Sequence, residues 1–155
     1  MTATLQSCSS QDDVIEDVVE KHNFTDFSKL KNRFIHFRST GTNRNTSIYF
    51  VGEFRGACGP YAVLVNDDDN GIIKIEKDLV LIRCEHDYLD SSEIEISIKE
   101  YLKLELYVIG VDTVGNVYIN PNSQDPPILL RLMPNSKPSD INEFKHYKGN
   151  WYIRK

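Results

Sequence analysis

The acidic run Asn66-Asp67-Asp68-Asp69-Asn70-Gly71 has the look of a calcium loop, with oxygen ligands at alternate positions and a glycine at the sharp turn. It departs from that pattern at the two most demanding places. The first ligand is an amide, and Lys77 stands where a bidentate glutamate is needed. A solvated hairpin turn is the reading adopted. Cys84-Glu85-His86, with Cys58 or His36, offers metal-ligating types. Structural zinc sites pair two clusters of the C-x2-C kind, and only one odd pair is present. A buried strand cysteine followed by an exposed loop histidine is the simpler account. Cys58 lies in Gly56-Ala57-Cys58-Gly59-Pro60, a turn that could present a thiol nucleophile, although the glycines and proline explain the segment as a turn or bulge. Neither a P-loop nor a G-x-G-x-x-G phosphate cradle occurs. The expectation is a chain with no catalytic residue, no metal site and no cofactor.

Two basic, aromatic segments point instead to binding. Lys31, Arg33, Phe34, His36, Phe37 and Arg38 fall on one stretch, and Lys145, His146, Tyr147, Lys148, Trp151, Tyr152, Arg154 and Lys155 fall on the last. Interleaved cations and rings make a stacking-and-charge platform for single-stranded nucleic acid, as on oligonucleotide-binding barrels. Lys31, Arg33 and Arg38 are the candidate nucleic-acid face. The competing account puts the rings in the core and the cations on its rim.

The elements that would position these residues read mostly as strands. Asn32–Arg38, Ser47–Phe54, Tyr61–Val65, Ile72–Ile75, Leu79–Cys84, Leu102–Val108, Val117–Ile119, Ile128–Met133 and Trp151–Ile153 are short and rich in Ile, Val, Tyr and Phe. Clusters of Gly, Pro, Asn and Asp separate them. Ile94, Ile96 and Ile98 alternate like strand residues. Asn70-Gly71 suits a tight type I′ hairpin turn, and Gly115-Asn116 does similar duty. Val14, Ile15, Val18 and Val19 lie on one helical face behind Ser9 or Ser10 as a cap, while their β-branching keeps a strand as the rival over 12–22. In 134–145 the prolines and Ser139 suggest one helical turn. Strands at this spacing form a sandwich or a closed barrel, and closure removes exposed edges.

Length and composition set the frame. The 155 residues and net charge of −5 suit one soluble domain rather than a nucleic-acid coat. Residues 29–44 carry five bases and no acid, 66–105 carry twelve acids against five bases, and 131–155 carry six bases against two acids. The three cysteines, Cys8, Cys58 and Cys84, do not look like a disulfide framework. The first residues have neither a basic start nor an apolar core of a secretory signal. No run reaches the ~18 apolar residues that span a bilayer. A cytosolic or nuclear compartment and no membrane contact are therefore expected, which leaves the sequons at Asn23 and Asn45 silent.

Several segments together resemble a known family. Ile128-Leu129-Leu130-Arg131-Leu132, then Asp140-Ile141-Asn142-Glu143-Phe144, then Trp151-Tyr152-Ile153-Arg154-Lys155 are similar to the ending of the eighth common subunit of eukaryotic nuclear RNA polymerases I, II and III. Glu16-Asp17-Val18-Val19 followed by Lys31-Asn32-Arg33 resembles that family's opening, and Tyr107-Val108-Ile109-Gly110 its central strand. Pro126-Pro127 stands where the family has glycines, and 46–60 reads as an extra hairpin. The resemblance implies a barrel of two oligonucleotide-binding-like halves and a non-catalytic accessory role in the nucleus. It implies binding to the large polymerase subunits, with Arg131, Trp151, Tyr152, Arg154 and Lys155 at the partner surface.

The combined expectation is an all-β, antiparallel, closed or nearly closed barrel of about 8–9 strands with one or two short helical turns. A flexible tail at 1–11 precedes a single domain at 12–155. The function expected is that of an accessory subunit of a DNA-directed RNA polymerase, with weak single-strand contact. The alternative is a small acidic inhibitor, of immunity or viral type and cytosolic, that blocks a basic protein through the acids of 66–105.

Overall fold

A computed structural model describes residues 10–155. The expected tail at 1–11, like Cys8, lies largely outside the described residues, and Gln11 already belongs to the first helix. That helix, α1 (Gln11–His22), starts at Ser10. The Ser10 hydroxyl accepts from the Asp13 amide at 3.3 Å, and the Asp13 carboxylate accepts from the Ser10 amide at 3.0 Å. This reciprocal cap satisfies two backbone donors that the helix itself cannot. Ile15, Val18, Val19 and His22 are buried on one face. Burial of that stripe outweighs the strand preference of the valines, and the helical reading of 12–22 holds.

The chain then runs through β1 (Arg33–Thr40), β2 (Thr46–Gly52), β3 (Tyr61–Asn66) and β4 (Ile72–Glu76), two helices α2 (Asp78–Leu81) and α3 (Ser91–Leu102), and β5 (Val108–Val111), β6 (Val117–Asn120), β7 (Leu129–Arg131), β8 (Phe144–Lys148) and β9 (Trp151–Arg154). All nine strands belong to one sheet in the order β4-β3-β2-β1-β5-β6-β7-β9-β8, and every pairing is antiparallel. The mostly-β expectation is met. The closed barrel is not: among the described residues β4 and β8 each pair on one side only, so the sheet is open there at two edges. Helices α1 and α3 instead cover one face of the open sheet.

That covered face holds the main core. Ile35, Val51, Val63, Val65, Ile109, Val117, Ile119, Leu129 and Trp151 project from successive strands against Ile15, Val18 and Val19 of α1 and Ile94, Ile98 and Tyr101 of α3. Each strand alternates, so its other residues face away from the helices.

Three segments expected as strands are not strands. Ile94 and Ile98 are buried, but Ile96 between them is 47% exposed. They lie on α3, capped by the Asp90 carboxylate on the Glu93 amide at 2.8 Å. Residues spaced two apart at 94, 96 and 98 also contain an i, i+4 helical pair, and the cap decides between the two periods. Leu79–Cys84 forms α2 and a turn, with only Val80 buried and Ile82 73% exposed. Leu102–Val108 spans the end of α3 and a turn in which Glu105 takes φ 56°, so strand β5 begins only at Val108. Segment 134–145 contains a 3-10 turn at Ile141–Glu143 preceded by Asp140 rather than capped by Ser139, and it leads into β8 rather than straight to the last strand. In the β3–β4 hairpin only Asn70 of the Asn70-Gly71 pair has positive φ. The loop is wider than a two-residue turn, and the Asn66 amide donates to the Gly71 carbonyl at 2.8 Å.

The cysteines are the largest correction. Cys58 and Cys84 are joined by a disulfide with Cα atoms 5.6 Å apart. The bond ties the β2–β3 loop to the turn after α2. An odd total of cysteines hides such a pair, because the sequence shows neither the third cysteine's fate nor which two approach each other. A disulfide is also uncommon in reducing compartments, so the cysteines no longer argue for the cytosol.

Candidate functional site

On the helix-free face, β1 presents Phe34, His36 and Arg38, and β2 presents Phe50 and Gly52. The register sets Phe34 opposite Gly52 and His36 opposite Phe50 on one side, and Phe34 opposite Gly110 of β5 on the other. Gly110 leaves the space that the rings use. A Cβ there would stand 2.6 Å from Phe54 and 3.2 Å from Phe34. The loop after β2 folds over this face, with Phe54 stacked on Tyr118 of β6 at 4.9 Å between ring centroids.

Between these walls lies a cavity of about 390 Å³, lined chiefly by Phe34, His36, Phe50, Phe54, Tyr118 and Arg154, with Glu53, Arg55, Cys58, Pro60 and Pro127 at its margins. Strands β2 and β9 both border it although four strands separate them in the sheet order. Flat strand spacing would hold them ~24 Å apart, so the sheet curls toward this side.

The cations of the cavity are internally matched. The Arg55 guanidinium lies 4.8 Å from the Phe54 ring and 5.2 Å from the Tyr118 ring and is paired to Asp140. Tyr118 donates its hydroxyl to the same carboxylate at 3.0 Å. Burial alone would raise the Asp140 carboxyl, but the bonds from Arg55 and Tyr118 outweigh it and hold it below the usual range. Arg154 stacks 4.7 Å from Phe144, donates Nε to the Pro127 carbonyl at 2.7 Å and pairs with Glu143. His36 sits edge-on to Phe50 at 5.3 Å. Its Nδ1 is 3.0 Å from the Phe37 carbonyl, so in the neutral ring Nδ1 is the donor. Burial pushes its pKa down and keeps the ring uncharged at neutral pH. The two arginines are cancelled by Asp140 and Glu143, and Glu53 adds a negative charge. The cavity is thus aromatic, apolar and close to neutral, with no surplus cation for a phosphate backbone.

The residues expected at the site are dispersed by the strand alternation. Arg38 is exposed on the helix-free face, 5.6 Å from the Phe50 ring, and Arg154 lines the cavity. Tyr152 faces the same way and packs with Tyr118, Leu130 and Phe144. Lys155 donates to the Asn142 carbonyl at 2.7 Å. Arg33 points to the helix side and bonds Glu93 of α3 at 3.0 Å. Trp151 is buried there, and its indole N–H donates to Asn23 at 3.1 Å. Arg131 also faces the helix side and donates to the Thr25 carbonyl at 2.8 Å. It shares a separate hollow with Lys31. The two basic segments therefore meet only where Phe34, His36 and Arg154 line the cavity, and their other cations do not form one platform.

Nothing in the sequence marks Phe54, Arg55 or Tyr118 as site residues, and Pro127 stands out only as a departure from the resembled family. Phe54-Arg55 just before a glycine turn is a weak signal at best, because nothing local says where the loop lands. Cys58, a candidate nucleophile, is held in the disulfide. Among the described residues no group of three His, Cys, Asp or Glu side chains is arranged to hold a metal ion, and no helix is long and apolar enough to cross a membrane. No family model, no curated protein and no solved structure matches the chain.

Proposed function

We propose that this chain is a non-catalytic binding module that grips a protein partner in the aromatic cavity of its helix-free face. The observation that carries this reading is the cavity itself. It has walls of four aromatic rings, a volume of about 390 Å³ and its own cations neutralised by Asp140 and Glu143. Large rigid rings around a concave, largely apolar site are what anchor a partner's side chain. The internal pairing of Arg55 and Arg154 disfavours single-stranded nucleic acid, whose affinity rests on unpaired cations.

The polymerase resemblance gives this partner a name, a large subunit of a nuclear RNA polymerase, and gives the fold a finer description as two oligonucleotide-binding-like halves. The curl of the sheet and the position of Arg154 at the cavity support that version. The free edges of β4 and β8 and the disulfide count against it. The second reading, an acidic inhibitor of a basic protein, is favoured by Asp67, Asp68 and Asp69, which are exposed on the β3–β4 loop and have no ion pair among the described residues.

Native affinity purification with wild type, Phe50→Glu and an Asp67/Asp68/Asp69→Asn triple variant separates these readings. Cavity binding predicts a partner lost by Phe50→Glu and kept by the triple variant. The reverse pattern establishes the acidic inhibitor instead. Large polymerase subunits in the eluate would identify the assembly. Equal retention by both variants sinks the cavity reading.

A further inference from the structure

On the helix side of the sheet, opposite the aromatic cavity, a hollow of about 320 Å³ is lined by Asp26, Phe27, Lys31, Val114, Arg131 and Met133 among others. Three arginines in the structure are neither buried nor fully exposed, Arg33, Arg131 and Arg154. Arg33 and Arg154 each have a carboxylate partner. Arg131 has none within 4.0 Å among the described residues. Its Nη1 donates to the Thr25 carbonyl at 2.8 Å, and its guanidinium stacks 5.4 Å from the Phe27 ring. Its remaining nitrogens make no hydrogen bond among the described residues, yet they are not among the side-chain atoms sealed away from solvent without a partner, so they stay open to the hollow.

A half-buried guanidinium with one neutral acceptor is an unbalanced charge, and burial lowers its pKa accordingly. Asp26 is the nearest compensation. Its carboxylate is already engaged by the Ser28 amide at 2.9 Å and does not reach ion-pair distance to Arg131. Lys31, on the rim, is likewise without an ion pair among the described residues. Two cations and one anion leave a single positive charge in the hollow. Apart from Thr25, Ser28 and Gly115 the rest of the lining is apolar, and two of its members are unusually exposed, Val114 at 55% and Met133 at 43%.

We infer that this hollow is a binding site for a monocarboxylate on an aliphatic stem, with the carboxylate forked onto Arg131 beside Lys31 and the stem against Phe27, Val114 and Met133. A planar carboxylate matches the two-donor edge of a guanidinium. A doubly charged phosphate fits less well, because Asp26 lines the same space. This site is independent of the cavity reading above, since it lies on the other face and shares no residue with it.

The test is titration of the intact protein, followed through the Met133 and Val114 methyl resonances. The probes are N-acetyl-leucine, its uncharged amide, 4-methylpentanoate and inorganic phosphate. Saturable shifts with either acid, and none with the amide or phosphate, are the expected result. Tighter binding of N-acetyl-leucine assigns the natural source to a polypeptide C-terminus, and tighter binding of 4-methylpentanoate to a free acid. Arg131→Gln should weaken binding about tenfold or more, the loss expected for a charged hydrogen-bonding partner. Val114→Asp, a change at an exposed rim position that leaves the core intact, should weaken it as well by repelling the carboxylate. No saturable binding of either acid, equal binding of the amide or of phosphate, or undiminished binding in Val114→Asp overturns the inference.

Discussion

Phe34, Phe54 and Gly110 show how a binding surface is set by what is missing at one position. Gly110 lies in the middle of β5, where a side chain is ordinarily favourable, yet two rings occupy the space its Cβ would need. Gly110→Val should cost about 1–3 kcal/mol as an overpacked site, read as a lower urea midpoint, and should displace Phe54 from Tyr118. An unchanged midpoint would mean that the rings have slack, and with it that the cavity is not a rigid mould. Residue types here were legible before residue roles were. The basic and aromatic character of Asn32–Arg38 and 145–155 is plain in the sequence. That Arg33 and Trp151 turn inward while Arg38 and Arg154 do not follows from alternation only after the buried face of each strand is known.

The element least well read is α3. Its sequence carries two periods at once, and the decisive signal is the capping pair at Asp90 and Glu93 rather than the isoleucines. Helical burial makes Ile98 and Ile96 unequal, whereas a half-buried strand would put Ile94, Ile96 and Ile98 on one face. Ile98→Ala should therefore cost about 2–5 kcal/mol and Ile96→Ala less than about 0.5 kcal/mol, with thermal melts as the measurement. Equal losses would contradict the helix. Strands β1 to β4, β6, β7 and β9 fall on segments whose composition and turn residues already read as strand. Strand β8 (Phe-Lys-His-Tyr-Lys) carries no clear strand signal of its own, because three of its five residues are polar and exposed at a sheet edge, so no inward alternation marks it.

At the scale of the whole molecule, the Cys58–Cys84 bond closes a stretch of 26 residues that includes β3, β4 and α2. In the chain-entropy account such a loop contributes about 3.5 kcal/mol. Cys58→Ser with Cys84→Ser should lower stability by about that amount in denaturant titrations. Alkylation of the native protein, read by peptide mapping, should leave Cys58 and Cys84 unlabelled until a dithiol reductant is added, and rapid labelling at either of those two positions without reductant would show the pair to be reduced in solution. The β-rich class, the hairpins, the cap and helical spacing before α1 and the segregation of charge are all legible in the sequence, because they are written in neighbours a few positions apart. Tertiary packing settles that residues 12–22 are helix rather than strand, that the sheet stays open, that two cysteines meet, that Arg55 and Arg154 are neutralised while Arg131 has no carboxylate partner among the described residues, and that most cations of the two basic segments are set apart. Each of these depends on which distant residue arrives at a given place, and no local period of two or 3.6 residues encodes that.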